Sequence, residues 1–527
     1  MRPDRWLRRA AAPAALVVAG PLAASGFAAP GTSAGAAIRP LAERAPVSAA
    51  HPAGSGPSTC LTPAPTVDYT PIHCYTPAQI DAAYGIDQVH AQGLKGQGRT
   101  IVAVDAYGSP TATNDIDHFA SAFGLPKPDF SEVYPLGRPD YSNAQANSNG
   151  LSGPAAAAGW AGEATLDIEW ADAVAPDAHI VLLATPPAET EGVQGIPNMM
   201  KAIQWAISTY PSGTVFSMSF GADESSFGGG SAASQFATFD QTFQAGIAKG
   251  DTFFSSAGDS GTTGTMKQHK ETATSPNPAV SYPNDSPYVT SVGGTQLQYG
   301  WTWDPTSDTA FTPSGGFNPQ YFNSTSSGNS EAVWNESWLP AASGGGASTV
   351  YPRPSWQKGV LPAMGNHRLV PDIAWNAAVN GGVLVYETYP PAWTGYAGYP
   401  AWQPVGGTSA ASPQAAALTA LADQARIDAG EQPIGWLNPL LYTDPALGPS
   451  ATSGFAGSGA FRDIVAHRYG TVPAGDLNGN QLWQVNSDGS VSPGPVPGEA
   501  TTPGYDLTTG WGTPRAPGYV AALTSAP

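Results

Sequence analysis

Val405-Gly406-Gly407-Thr408-Ser409-Ala410-Ala411-Ser412-Pro413 runs into an alanine-rich stretch, Gln414 to Arg426. Small residues crowd one serine, then a helix-forming run follows. The pattern predicts a tight turn that delivers Ser409 to a helix N-terminus, with Pro413 in the first turn, where a missing N–H costs little. A serine there has free backbone N–H groups beside it, and the positive helix end favours developing negative charge. That setting suits a nucleophile whose substrate becomes an oxyanion. A serine that merely caps a core helix has the same local sequence, so its partners decide the reading.

Upstream of this turn, hydrophobic runs alternate with helical stretches. Arg99 to Asp105, Ala178 to Ala184, Thr214 to Ser219 and Thr252 to Ser256 read as buried strands. Between them, helices are expected at Asn114 to Phe123, Gly162 to Val174, Met199 to Tyr210 and Ser231 to Lys249. Alternation of this kind implies a mostly parallel sheet covered by helices on both faces. Such α/β sheets place ligands at the carboxyl ends of their strands. Ser142 to Gly159 reads as a loop, and 470–503 as a long surface insertion. Trp301, Trp303 and Trp334 are expected in the core.

The chain has 527 residues, with 62 Gly and 52 Pro but only 12% charged residues, which describes a loop-rich globular protein. Its net charge of −19 argues against nucleic acid, because phosphate binding needs clustered Lys and Arg. Arg2, Arg5, Arg8 and Arg9 precede an apolar stretch broken by Pro13 and Pro21, which reads as a secretory signal within residues 1–36. Cleavage after Ala28 or Ala36 fits equally. No stretch is apolar for long enough to anchor the chain in a membrane. Residues 37–70 form a short Pro/Ala/Gly-rich pro-segment or linker, and 71–527 the main domain. Two cysteines in an exported chain, Cys60 and Cys74, suggest one disulfide.

The helix Gly162 to Val174 carries the chemistry. Glu163 and Asp167 lie at i and i+4, so they share a face. On a 3.6-residue wheel Trp170 and Val174 fall on that face, and Leu166 lies beside it. Two carboxylates therefore project toward the protein, while Glu169 and Asp172 are expected to face solvent. Buried acids that close cannot both ionise easily, so one keeps a proton and the other can act as a general base. At the carboxyl end of the strand Thr252 to Ser256 stands Ser256-Ala257-Gly258-Asp259-Ser260-Gly261. A carboxyl held protonated there could donate to an oxyanion.

Together these stretches resemble the sedolisin family of serine-carboxyl peptidases, from Tyr75 to Pro514. Glu163-Ala164-Thr165-Leu166-Asp167 is similar to the family's acid helix, Ser256 to Gly261 to its oxyanion turn, and Gly407-Thr408-Ser409-Ala410 to its nucleophile turn. Tyr282-Pro283-Asn284-Asp285 and Gly344-Gly345-Gly346-Ala347-Ser348 match in the same order. The resemblance implies a subtilisin-like three-layer α/β fold and a secreted endopeptidase of polypeptides that acts in acid. It implies that Ser409 attacks the peptide carbonyl and that Glu163 takes the proton. Asp167 shares that proton, and Asp259 joins the oxyanion hole. It also implies one structural Ca²⁺, held by the carboxylates of Asp463 and Asp506 and by the carbonyls of Ile464, Thr502 and Gly504. Thr502 stands where the family has Gly, a change that a carbonyl ligand tolerates. The family carries a large folded pro-domain, in whose place this chain has only the short segment before Tyr75. A monomer is expected. An ordinary Ser-His-Asp subtilisin is the rival reading, with Asp105 as its aspartate. None of the eight histidines has the helix-start setting that such a triad needs. A catalytically inactive binding protein on the same fold is the other rival, though all four catalytic positions are filled.

Overall fold

The structure is a computed structural model. It describes residues 39–40, 43–44, 74–139, 141, 153–185, 193, 195–268, 271–299, 329–336, 340–379, 381–389, 402–452, 457–465, 468–469, 472–473, 478–486 and 491–527. The expected signal segment, Cys60, Trp301, Trp303 and most of the 142–159 loop lie outside these residues.

Among the described residues the central sheet has eight strands. In chain order they are β1 (Thr100–Ala106), β2 (Asp129–Val133), β3 (His179–Thr185), β4 (Val215–Met218), β5 (Thr252–Ser256), β6 (Thr290–Gln298), β7 (Ser330–Val333) and β8 (Ile373–Asn376). Their spatial order is β7-β6-β5-β4-β1-β3-β2, with β8 also paired to β6. Every pairing is parallel except that of β7 with β6. The long β6 uses one edge in succession: Val292 to Thr295 pair with β8, and Thr295 to Gln298 pair with β7.

The helices are α1 (Pro77–Tyr84), α2 (Ile86–His90), α3 (Ala112–Phe123), α4 (Gly153–Val174), α5 (Ile196–Thr209), α6 (Ala232–Lys249), α7 (Thr408–Asp428), α8 (Leu437–Thr443) and α9 (Ala516–Ser525). Side chains of β1 alternate between two cores, as the period of two in a strand requires. Ile101 and Ala103 pack with Leu166 and Trp170 of α4 and Leu418 of α7. Val102 and Val104 pack on the other face with Met199 of α5 and Phe236 of α6. The result is the expected three-layer α/β arrangement of helices, sheet and helices. The strands fall within a residue or two of their expected limits.

Two helices start well before their expected limits. Helix α4 begins at Gly153, inside the stretch read as a loop. Ala155 to Ala158 are strong helix formers, and Pro154 is tolerated in a first turn. Helix α7 begins at Thr408, which leaves Pro413 inside it. Proline has no N–H for the carbonyl four residues back, which here belongs to Ser409. Gly407 precedes the helix at φ 92°, a left-handed value that a side chain would strain.

The largest departure concerns α4. Glu169 and Asp172 are fully buried, not solvent-facing. The strand Gly382–Tyr386, paired antiparallel to Trp402–Gly406, covers Glu169. Tyr386 N donates to Glu169 Oε2 at 2.9 Å, and Trp170 Nε1 donates to Leu384 O at 2.8 Å. The cover comes from more than 200 residues downstream, beyond the reach of a helical wheel. The 470–503 insertion is also not wholly superficial. Asn480 is fully buried, and its Nδ2 donates to Ser343 O at 2.9 Å. Trp334 is a core residue as expected, with Nε1 donating to Glu336 Oε2.

Candidate active site

Ser409 is the second residue of α7 and is fully buried. Its Oγ has no hydrogen-bond partner among the described residues. An unpartnered buried hydroxyl costs free energy. The turn that carries it is fixed on three sides. Gly407 N donates to Ala377 O at 2.7 Å. Ser412 and Ser217 of β4 join through their hydroxyls at 2.9 Å. The third tie is Asp259, whose Oδ1 accepts from both Thr408 N at 2.8 Å and Thr408 Oγ1 at 2.7 Å. Thr408 Oγ1 in turn accepts from Gly258 N at 2.9 Å. The Asp259 carboxyl is therefore bonded to the residue next to Ser409. Gly344 crosses this turn so closely that a Cβ on it would lie 2.1 Å from Ala257 O.

Glu163 and Asp167 are fully buried on α4, which packs along α7. Asp167 Oδ1 accepts from Ser219 Oγ at 2.9 Å. Burial raises the Asp167 carboxyl far above its ordinary range. The neighbouring Asp105 and Glu163 carboxylates add to that rise, and only the Ser219 hydrogen bond opposes it. Three acids in one dry place cannot all ionise, so protons are shared among them.

Sequence reasoning did not assign Asp105 to this cluster. It is the penultimate residue of β1, is fully buried, and neither of its carboxylate oxygens has a hydrogen-bond partner among the described residues. Burial pushes its carboxyl up to about 8. Its place at a strand's carboxyl end was legible, but that signal was spent on the rival histidine triad. Ser219 and Thr408 were missed for a different reason. Their roles are hydrogen bonds across 52 and 149 residues of chain.

Three of the four described histidines are engaged elsewhere. His90 Nε2 bonds Val174 O, His179 Nε2 bonds Ser131 Oγ, and the His118 ring stacks on Tyr386 at 3.9 Å. His367 is exposed on the short strand His367–Val370.

The residues expected to hold calcium are brought together. Asp463 Oδ2 accepts from Gly504 N at 2.9 Å, and Asp506 Oδ2 accepts from Thr502 N at 3.0 Å. Asp506 Oδ1 also accepts from both Thr508 and Thr509. Ile464 and Asp506 are buried. Two carboxylates beside a loop with backbone carbonyls form a hard oxygen donor set, the kind calcium takes.

A buried serine opening a helix, carboxyls at strand ends and a doubly covered parallel sheet define a subtilisin-like serine peptidase fold. The chain belongs to the subtilase family, whose profile its residues 153–434 match, and within it to the sedolisin group. It is 30% identical over 377 residues to kumamolisin of Bacillus sp. (strain MN-32), covering 70% of this chain and 55% of that protein. It is 30% identical over 229 residues to sedolisin of Pseudomonas sp. (strain 101), covering 42% of this chain and 32% of that one. Over 257 residues it is 26% identical to tripeptidyl-peptidase 1 of Homo sapiens, covering 46% and 33% respectively. The chain thus spans about half or less of the length of these relatives. Among solved structures it is similar to Pseudomonas sedolisin, a serine-carboxyl proteinase complexed with pseudo-iodotyrostatin. That match has a TM-score of 0.56 and 21% identity, covering 86% of this chain and 99% of that one, and it bears on the fold. Among the described residues no helix is long and apolar enough to cross a membrane.

Proposed function

We propose that this chain is a secreted serine-carboxyl endopeptidase that cleaves polypeptides in acid. The observation that carries the reading is the buried Ser409 hydroxyl, unpartnered, in a turn tied to Asp259 and on a helix packed along the acids of α4. Ser409 Oγ attacks the scissile carbonyl and Glu163 accepts its proton. Asp167, bonded by Ser219, orients Glu163 and shares that proton. As the tetrahedral oxyanion forms, Asp259 in its neutral form and the Ser409 backbone N–H donate to it. Glu163 then returns the proton to the leaving amine, and water releases the acyl group by the same path. A carboxyl base works near its own pKa, so the rate should peak in acid. Digestion of denatured protein at about pH 4 tests this. Wild type should cleave it and the Ser409→Ala chain should not. Equal cleavage by both would refute the assignment.

Secretion rests on the basic and apolar start of the chain, within 1–36. A Cys60–Cys74 bridge is part of the same reading, supported by the lack of a free cysteine among the described residues. One calcium ion fits the donor set of Asp463, Asp506 and the carbonyls of Ile464, Thr502 and Gly504, and would join the two loops that carry them. A ligand present at a hundredfold over its dissociation constant stabilises by roughly 3 kcal/mol. Excess EGTA at about pH 6.5 should therefore lower the melting temperature of the Ser409→Ala chain by several degrees, and calcium should restore it. An identical melting curve with and without chelator would remove the ion from the proposal.

A further inference from the structure

Three stretches of chain that lead into the catalytic groups meet at one buried carboxyl, Glu224. The first is its own. Glu224 ends the run from Ser219, whose hydroxyl bonds Asp167, through the strand Phe220–Asp223. The second is the strand Gly346–Pro352. Thr349 N and Thr349 Oγ1 donate to Glu224 Oε2 at 2.7 and 2.6 Å, Val350 N donates to Oε1 at 3.3 Å, and Ser348 Oγ bonds Oε1 as well. Just before this strand, Gly344 N donates to Gly258 O at 2.7 Å, in the turn that carries Asp259. The third is the turn after Ser281–Tyr282, a strand paired antiparallel to Ala222 and Asp223. There Asn284 Nδ2 reaches Ala257 O at 3.5 Å, and the fully buried Asp285 carboxyl is hydrogen-bonded to Glu224. Asp285 Oδ2 also lies 3.2 Å from Ser348 Oγ.

Two carboxyls can hydrogen-bond each other only while one of them holds a proton. Four donors converge on Glu224. Among the described residues Asp285 has the Ser348 hydroxyl, whose single hydrogen Glu224 also draws on. The shared proton therefore belongs to Asp285. No cation compensates: among the described residues no Lys, Arg or His makes an ion pair with either carboxyl. The other titratable groups that face the pair are Asp240 of α6 and the phenols of Tyr282 and Tyr351. Tyr351 and Ser286 donate to Asp240, and Ser281 Oγ donates to the neighbouring Asp223. Burial raises the Asp285 carboxyl well above the ordinary aspartate range, and the Glu224 charge adds to the rise. A proton held in this way is present in acid and is lost as pH climbs through the raised value.

We propose that Glu224 and Asp285 are positioning residues, and that their shared proton clasps the oxyanion turn in acid and frees it when lost. The inference rests on the peptidase reading above. With the proton in place, Glu224 holds the segment from Gly344 to Val350 against the Asp259 turn, and the strand Phe220–Asp223 beside Ser219. Once Asp285 ionises, two negative charges face each other in a dry site, and only their separation lets water reach both. The strand bearing Ser348 and Thr349 is the arm that yields, since its pairing with His367–Val370 shifts register between Ala347 and Pro352. Gly344 then no longer pins Gly258, and Asp259 loses its place beside Ser409. A proton outside the catalytic groups thus switches the enzyme off toward neutral pH.

Amide hydrogen exchange of the full-length Ser409→Ala chain at about pH 5 and about pH 7.5, corrected for intrinsic rates, tests the clasp without self-digestion. Peptides covering 342–352 should lose protection about tenfold or more at the higher pH, while those of α7 keep theirs. With Asp285→Asn added, 342–352 should stay protected, because Asn is neutral and still donates to Glu224. Rates on denatured protein are compared in the Asp259→Asn background, where the oxyanion donor needs no proton of its own. There Asp285→Asn should move the high-pH limb up by about one unit, or about tenfold in rate at a fixed pH on that limb, relative to each chain's own rate at about pH 4. Asp423→Asn, a buried acid toward the far end of α7, should raise the melting temperature at about pH 7.5 and leave the limb in place. Should Asp285→Asn melt early at about pH 4, Glu224→Gln carries the same test by removing the other charge. Equal loss of protection with and without Asp285→Asn, or a limb that does not move, refutes the clasp and leaves the peptidase reading intact. Loss spread evenly over α7 and the central sheet means global unfolding and refutes it as well. If wild type cleaves denatured protein at no pH, the peptidase reading fails, and with it the catalytic role of the clasp, whatever the exchange shows.

Discussion

Glu163→Gln should lower kcat on denatured protein at about pH 4 by roughly 10²- to 10⁴-fold, the range for losing a positioned general base. Gln has the size of Glu and keeps a carbonyl oxygen, so the buried helix α4 should still form. It cannot accept the serine proton at any working pH, so no change of pH should restore the rate. Asp259→Asn should behave differently. Asn keeps an oxygen for the two Thr408 donors and offers an N–H₂ to the oxyanion without needing to be protonated. It should retain more activity than Glu163→Gln, with its high-pH limb moved upward. Initial rates from pH 3 to 8 on the three chains separate these roles. A Glu163→Gln chain with more than about a tenth of wild-type activity would remove Glu163 from the chemistry. So would a loss caused instead by changing one histidine.

How much of this was readable in the sequence depends on the range of each signal. Strands β1, β3, β4 and β5 are short apolar runs between helical stretches, and both faces of a parallel sheet are buried, so local pattern placed them well. Ser409 and Asp259 could be singled out because each lies in a compact motif at an element's end, and Glu163 and Asp167 because their i, i+4 spacing puts them on one helix face. The solvent face assigned to Glu169 and Asp172 failed because a wheel knows only its own helix. The strand Gly382–Tyr386, paired with Trp402–Gly406, covers Glu169 from far along the chain. The same range effect hid Asp105 among the acids of α4 and Asn480 beneath Ser343. Local composition also misled at Ala155 to Ala158, where alanine was read as loop although it favours helix.

The folded chain should be most stable in acid and lose stability as pH rises toward neutrality, which most proteins do not. The cause is the set of carboxyls that the fold buries without cations close enough to compensate. Burial lifts Asp105 to about 8 and Asp81 to about 8, with Asp87 adding to the latter. Burial lifts Asp423 to about 7 against the opposing pull of an Ile434 hydrogen bond, Arg99 and Arg426, and Asp240 to about 6 against its Tyr351 and Ser286 hydrogen bonds. Each of these folded values lies above the roughly 3.9 of an unfolded aspartate. Between pH 4 and 8 the folded chain thus holds more protons than the unfolded one, and the slope of stability with pH is negative. The contribution is complete below about pH 4 and is lost as pH climbs through 6 to 8. One pKa unit is worth about 1.4 kcal/mol, so several such groups together amount to something on the order of 10 kcal/mol. That should lower the melting temperature by roughly 10 °C. Scanning calorimetry of the Ser409→Ala chain, at fixed calcium and ionic strength, measures this without self-digestion. Asp423→Asn should flatten the fall, because it supplies permanently the neutral form that the buried site prefers. A melting temperature that stays level or rises from pH 4 to 8 would mean that these carboxyls ionise freely in the fold. The acid cluster around Asp167 would then lose the physical reason for sharing its protons.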